Sequence, residues 1–244
     1  WNIYPGLDAA YSFSEHYKIS GSVNSTLRMP TFTDLFYSGP TNIGNPDLKP
    51  EKSVTYEGSI RINYTGFSGH AGMYHRRGKN LIDWVRENET EKWQPQNLTR
   101  INSTGLEFNG TFFPEKIWKK AFPITKIGLN YSYTTLDKEK DYFFSNYVLD
   151  NLKHKFDAEL DHKIWRKLKG SWRVTYQDRN GMRTQTESYK PFWLVNTRII
   201  WKTASTEIYA MASNLFNTKY YDLGPVEQPG RWISFGISHQ INFK

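Results

Sequence analysis

A period of two in the apolar residues, sustained over unusually long segments, constrains this chain more than any other feature. Between Leu152 and Trp165 the even positions are Leu152, His154, Phe156, Ala158, Leu160, His162 and Ile164. The odd positions are Lys153, Lys155, Asp157, Glu159, Asp161 and Lys163. Side chains of a β-strand point alternately to opposite faces, so one face of this segment is largely apolar and the other fully charged. The last segment repeats the pattern, with Ile233, Phe235, Ile237, His239, Ile241 and Phe243 opposite Ser234, Gly236, Ser238, Gln240 and Asn242. Ile127, Leu129, Tyr131 and Tyr133 oppose Gly128, Asn130 and Ser132. Likewise Val54, Tyr56, Ile60 and Ile62 oppose Thr55, Glu57, Ser59, Arg61 and Asn63. Eleven strands are expected, near 6–14, 17–29, 53–64, 67–86, 97–113, 124–136, 151–165, 168–180, 191–202, 205–220 and 231–243. Many exceed the usual length of about 5–6 residues and suffice to cross a bilayer at a tilt, which takes about 9–11.

A soluble sandwich also alternates apolar and polar residues, so composition has to decide between water and lipid. Aromatic residues make up 16% of the chain, yet its mean hydropathy is -0.70. A membrane barrel joins these two properties, because half of each strand faces lipid and half a watery interior. Trp193 and Trp201 bracket the apolar row Val195, Thr197 and Ile199. The pair spans roughly 20 Å of membrane height at about 3.3 Å per residue and a tilt near 40°, close to the apolar band of about 25 Å between aromatic girdles. No apolar run is long enough for a transmembrane helix, which leaves a barrel open. The chain has no cysteine, which removes disulfide frameworks, thiolate metal sites and cysteine nucleophiles. The formal charge of +8 is spread along strands and turns instead of being gathered in one face or tail, so no nucleic-acid partner is expected.

The connectors alternate in length. Residues 15–16, 65–66 and 166–167 are short, whereas 30–52, 87–96 and 180–190 are longer, and 114–123 is a longer turn on the short side. Outer-membrane barrels place short turns in the periplasm and long loops outside. Such single-chain barrels carry an even number of strands, so a count of eleven leads us to expect further strands elsewhere. Trp1 to Leu7 has none of the marks of a secretory leader, so the true N-terminus is expected upstream.

Two motif groups add a resemblance. Arg28-Met29-Pro30-Thr31-Phe32-Thr33-Asp34-Leu35-Phe36 is followed by Gly44-Asn45-Pro46-Asp47-Leu48-Lys49-Pro50-Glu51-Lys52-Ser53. Near the other end stand Asn214-Leu215-Phe216-Asn217, Tyr220-Tyr221 and Pro229-Gly230-Arg231-Trp232. In this order they resemble TonB-dependent receptors, whose strand, long outward loop and returning strand carry R-x-P-x-F-x-D-L and then G-N-P-x-L-K-P-E. The resemblance implies an all-β fold, an antiparallel transmembrane β-barrel, with residues 1–244 forming about eleven C-terminal strands of a 22-stranded barrel and the plug domain lying outside the sequence. It further implies a place in the outer membrane of a Gram-negative bacterium among lipid and lipopolysaccharide, coupling to TonB through the plug, and import of a large scarce nutrient. A surface lipoprotein is a further conceivable partner.

Prolines at 30, 40, 46 and 50 stiffen the long loop by fixing φ, which suits a docking surface or a fixed cover over the barrel mouth. The rather short outward loops favour vitamin B12 (cobalamin) or a related corrinoid as ligand, with a ferric siderophore or haem as the alternative. Loop aromatics Phe36, Tyr37, Trp93, Tyr142, Phe143, Tyr220 and Tyr221 are the candidate ligand contacts, since flat apolar rings suit a large ring-bearing ligand. The same residues would also serve as girdle aromatics. No catalytic residues, metal site or cofactor are expected. The six histidines show no ligand spacing, and His70 and His75 fall on opposite faces of one strand. The seven N-x-S/T sequons, at Asn24, Asn63, Asn88, Asn97, Asn102, Asn109 and Asn130, read mainly as polar strand faces. An outer-membrane barrel enzyme and a soluble all-β binding protein are the rival classes.

Overall fold

A computed structural model describes residues 3–88, 90–118, 122–138, 144–145, 151–184 and 186–241. Among these residues twelve strands follow in chain order: β1 (Gly6–Ser12), β2 (Tyr17–Arg28), β3 (Glu51–Tyr64), β4 (Phe67–Arg86), β5 (Gln94–Phe112), β6 (Ile124–Lys138), β7 (Phe144–Ser145), β8 (Leu152–Trp165), β9 (Leu168–Arg179), β10 (Phe192–Lys202), β11 (Thr206–Ser213) and β12 (Trp232–His239). They form one sheet in the order β1-β2-β3-β4-β5-β6-β8-β9-β10-β11-β12, with the short β7 pairing with β4 instead. Near neighbours in sequence are neighbours in space, as an antiparallel meander requires. All eleven expected strands are present, and β7 lies in the connector between the sixth and seventh of them.

Three departures have local causes. Alternation carries β11 to residue 220, but the strand stops at Ser213, because Asn214 and Asn217 adopt φ of 48° and 55°. That left-handed region does not continue a strand, and Asn is among the few residues that enter it readily. β12 ends at His239, short of the expected 243. Two short helices, α1 (Phe32–Phe36) and α2 (Pro114–Ile117), occupy connectors expected to be irregular. α2 starts on a proline at its first turn, where the missing N–H costs nothing.

The chain divides into two compact units. The first comprises residues 1–60, 71–106 and 133–153, and the second 61–70, 107–132 and 154–244. In the first unit Leu7 pairs with Val23, Ala9 with Gly21 and Tyr11 with Ile19, while Asp8 pairs with Ser22 and Ser12 with Lys18. Directly paired residues share a face, so this hairpin has one apolar and one polar side. The apolar side lies open, with Leu7, Tyr11, Ile19 and Val23 all exposed, as most of the polar side also is. The small buried apolar cluster of this unit is Val85, Leu98 and Ile101, packed by Leu81 and Leu136.

The second unit shows the same segregation over four strands. Val174 pairs with Val195, and Trp172 with Thr197. Thr197 continues to Ala212 and Ile199 to Ala210, and these reach Ile233 and Phe235 on β12. On the opposite face Arg173 meets Asn196 and Tyr209 meets Gly236. Phe235 and Ile237 are 79% and 71% exposed, whereas Ser234 and Gly236 between them are half-buried. Burying such a row normally stabilises a soluble protein by about 1.5–3 kcal/mol per side chain. The exposure of its larger members, Trp172, Ile199, Ile233, Phe235 and Ile237, suits a face solvated by lipid.

The charged row of β8 lies on the other side. Glu159 accepts from Lys126 Nζ at 2.8 Å and stands 3.9 Å from Arg173, and Asp157 accepts from Thr175 Oγ1 at 2.6 Å. In the apolar row, Tyr131 hydrogen-bonds His154 Nδ1 at 2.9 Å, and the Trp172 indole donates to His162 Nε2 at 3.1 Å. The two histidines that interrupt the apolar row therefore have polar partners on their own face, which a lipid setting demands. Spin labels at Phe235 and Ile237 in the membrane-embedded protein are expected to be accessible to oxygen and shielded from water-soluble nickel complexes, and labels at Ser234 and Gly236 the reverse. Interchanged accessibilities would overturn the assignment of faces.

Candidate functional site

The connector from residue 29 to 50 is held in shape from inside. Thr31 caps α1: its hydroxyl accepts from the Asp34 N–H at 3.1 Å, and its own N–H donates to Asp34 Oδ2 at 3.0 Å. Such a reciprocal box satisfies two otherwise orphaned groups at a helix start. Asp34 Oδ1 accepts from the Trp84 indole N–H at 3.1 Å. Beside it, Glu51 accepts from the Ile82 N–H at 2.8 Å. Arg28 bridges the two carboxylates, 3.1 Å from Glu51 and 4.0 Å from Asp34. Asp34 and Glu51 are only 6% and 7% exposed, so these partners take the place of water around their buried oxygens. Burial pushes the Asp34 carboxyl upward, but the hydrogen bonds from Thr31 and Trp84, with the Arg28 charge, outweigh it and hold its pKa below the ordinary value.

The second half of the motif completes the tie. Gly44 donates to the Tyr37 carbonyl, and a Cβ on it would lie 2.7 Å from the Leu35 carbonyl group. Only glycine permits that approach. The Asn45 N–H donates to the Asp34 carbonyl at 2.8 Å, and its side chain donates to the Pro95 carbonyl at 3.1 Å. Asn97 receives the Lys49 N–H at 2.8 Å and donates to the Lys49 and Asn80 carbonyls. The Trp93 N–H donates to Thr41, and Ile43 donates back to Trp93, both at 2.9 Å. Residues 29–50 and the connector after β4 are therefore one pinned structure, and the sequon at Asn97 serves as a clamp.

This scaffold displays an aromatic edge. Phe36 and Tyr37 are exposed, and Phe32 joins them with its ring 5.2 Å from that of Phe36. Phe32, at 79% exposure, is absent from the expected contacts. Its spacing of four from Phe36 would have revealed it once α1 was recognised. Trp93 is half-buried beneath the Arg86 guanidinium, 4.6 Å away.

In the second unit Tyr220 packs on Phe192 with ring centroids 4.7 Å apart. Tyr221 lies under Arg183 at 4.0 Å, and its hydroxyl donates to Glu227. Both are half-buried and engaged in holding the 180–191 and 214–231 connectors. The structure thus groups Phe36, Tyr37 and Trp93 in one unit and Tyr220 and Tyr221 in the other, while Tyr142 and Phe143 lie outside the described residues. His70 stands 3.7 Å from Glu107, and His75 accepts or donates at 2.8 Å with Thr104, on opposite faces of β4. Among the described residues no group of three acidic or histidine side chains is placed to hold a metal ion.

A meander of long strands with an exposed apolar face, a lining of ion pairs opposite and pinned connectors defines an outer-membrane β-barrel protein. Residues 1–215 match the family model described as "TonB dependent receptor-like, beta-barrel", and the chain belongs to that family, as part of a β-barrel of the Gram-negative outer membrane. It is 26% identical over 175 residues to the vitamin B12 transporter BtuB of Photobacterium profundum, covering 70% of this chain and 24% of that protein. To the iron-regulated outer membrane virulence protein of Vibrio cholerae it is 24% identical, covering 96% of this chain and 39% of the relative. The FrpB iron transporter of Neisseria meningitidis superposes with a TM-score of 0.73 at 16% identity, over 98% of this chain and 39% of that one. The last likeness shows the fold alone. The chain spans between a quarter and two fifths of the length of these relatives.

Proposed function

We propose that the receptor carrying this barrel segment imports a corrinoid of the vitamin B12 type, drawing energy from TonB as its family membership implies. The observation that carries this reading is the aromatic edge Phe32, Phe36 and Tyr37, exposed on a helix that buried carboxylates hold rigid. A rigid edge of flat rings offers a large macrocycle contact without the cost of ordering a loop on binding. The similarity to a B12 transporter points the same way. The loop aromatics Trp93, Tyr142, Phe143, Tyr220 and Tyr221 are proposed as additional ligand contacts.

The test is equilibrium binding to the full-length receptor, purified in detergent, with cyanocobalamin and with ferric siderophores in parallel. Saturable binding of cyanocobalamin is expected, weakened about tenfold or more by Phe32→Ala with Phe36→Ala if these rings act as anchors. Binding of a ferric siderophore alone would transfer the reading to iron uptake, which the fold shared with an iron transporter makes the second choice. Unchanged cobalamin binding in the double variant would remove the α1 rings from the site.

A further inference from the structure

The aromatic edge of the first unit ends beside a cation that is held in place. Gly39 packs against Tyr37: a Cβ built on it would stand 2.8 Å from the Tyr37 hydroxyl oxygen and 2.9 Å from the ring. The carbonyl of the same glycine accepts from Lys92 Nζ at 3.0 Å. Main-chain bonds fix both sides of this junction, since Gly39 donates to Asn42, Trp93 to Thr41 and Ile43 to Trp93, each at 2.9 Å. The Lys92 ammonium is thus set beside Tyr37 by backbone that has no loop left to order when a ligand arrives.

That charge is not cancelled where it sits. A carbonyl is a neutral partner, and it takes one of the three donors of an ammonium. The adjoining acid, Glu91, is engaged elsewhere: one carboxylate oxygen accepts from Asn88 Nδ2 at 2.7 Å and the other from the Glu87 N–H at 3.2 Å. Lys92 is exposed, and so is the Tyr37 ring. Arg86 lies 4.6 Å over the ring of the next residue, Trp93, and brings a second cation to the same connector. An exposed ring with an ammonium at its margin suits a ligand that joins a large apolar ring to an anionic group.

We infer that Lys92, beside Tyr37, is a subsite for a phosphodiester on the ligand and selects complete corrinoids over those that lack the nucleotide arm. The inference rests on the corrinoid reading of the α1 edge. A complete corrinoid joins a macrocycle rimmed with neutral amides to a nucleotide arm, and the phosphodiester of that arm is its one anionic group. With the macrocycle on Phe32, Phe36 and Tyr37, the phosphodiester is the group that an ammonium at the end of the edge recognises. Lysine binds phosphate as a point charge and needs no two-pronged alignment. The rings then supply contact, and Lys92 supplies discrimination.

Equilibrium binding to the full-length receptor in detergent, with cyanocobalamin and with dicyanocobinamide, which keeps the macrocycle but has no phosphate, tests this. Wild type is expected to hold cyanocobalamin about fivefold more tightly, the upper range for one part-exposed ion pair, and to lose most of that preference as salt is raised. Lys92→Gln should lower cyanocobalamin affinity to that of dicyanocobinamide and leave the latter unchanged, because glutamine keeps a donor for the Gly39 carbonyl. Lys92→Arg should restore the preference. Equal affinities in wild type, or a preference that survives Lys92→Gln, would overturn the assignment and leave the corrinoid reading standing. A parallel fall in both affinities would make Lys92 a strut of the connector and overturn it equally. Binding of neither corrinoid to wild type would overturn both readings.

Discussion

Leu160→Lys is expected to cripple assembly of the barrel, while Glu159→Gln, one residue away, leaves it nearly intact. Leu160 stands five residues from the end of β8 (165 − 160), which places it roughly 13 Å above the short turn and near the middle of the apolar band. A lysine facing lipid at that depth costs about 2–4 kcal/mol, comparable to a large share of the stability of an average fold. Glu159 is on the opposite face, paired with Lys126 and Arg173 at a quarter side-chain exposure. Part-exposed pairs of this kind contribute about 0–1 kcal/mol, and glutamine keeps an acceptor for Lys126. The measurement is the heat-modifiable folded fraction of the full-length protein in membranes. A greater loss with Glu159→Gln than with Leu160→Lys would show that the two faces of β8 are exchanged.

The second large effect concerns the pinned connector. Asp34→Ala removes the acceptor for the Thr31 N–H and the Trp84 indole, leaves Thr31 with half of its cap, and takes one of two anions from Arg28. Breaking a buried charged cluster by deleting one member costs about 3–5 kcal/mol. That cost falls on residues 29–50, because the hydrogen-bonded ladder below does not depend on Asp34. Limited proteolysis of intact cells or of receptor in vesicles should therefore cut this connector at least tenfold faster in the variant, with the barrel core surviving. Asp34→Asn retains an acceptor for the indole and should fall between the two. Since the Asp34 pKa is lowered on folding, its contribution is complete above the ordinary carboxylate range and is lost as pH falls through the lower folded value. Wild-type protection should accordingly weaken only in strong acid. Protection of Asp34→Ala equal to wild type would mean that the prolines alone hold the loop.

How far the sequence revealed this molecule depends on the range of the interaction concerned. Strand positions and faces follow from alternation, a local property, and β4 and β8 begin and end within a residue of expectation. The end of β11 does not, because residues 214–220 keep a plausible composition for a strand while two asparagines turn the backbone left-handed. Helix α1 was locally legible: Thr31 followed three residues later by Asp34 is a capping signal, hidden by the prolines around it. The clamp was not legible, since Asp34 meets Trp84 fifty residues away and Asn97 meets Lys49 forty-eight away. Motif resemblance marked Arg28, Asp34, Gly44, Asn45 and Glu51 as important without saying why. Their partners show that each is spent on holding the connector. The exposed Phe32 and Phe36 are the side chains that the held connector displays.

Asn214 is 4% exposed and fastens both ends of the last long connector at its base. Its N–H donates to Asn196 Oδ1, its side chain bonds the N–H and carbonyl of Thr218, and the amide also reaches the carbonyl of Pro229. Asn217 Oδ1 takes the Arg231 N–H at 2.8 Å, just before β12 begins. The register of the final strand is thus decided below residue 218 and above residue 229, and the stretch between is enclosed by a collar that does not read its sequence. Loop tips of this kind are where chains accept insertions. The tip around Pro225 and Val226, beyond the bracing contacts of Tyr220, Tyr221, Asp222 and Gly224, can therefore be lengthened or diversified, giving evolution or an engineer a replaceable outward surface on an otherwise fixed hairpin.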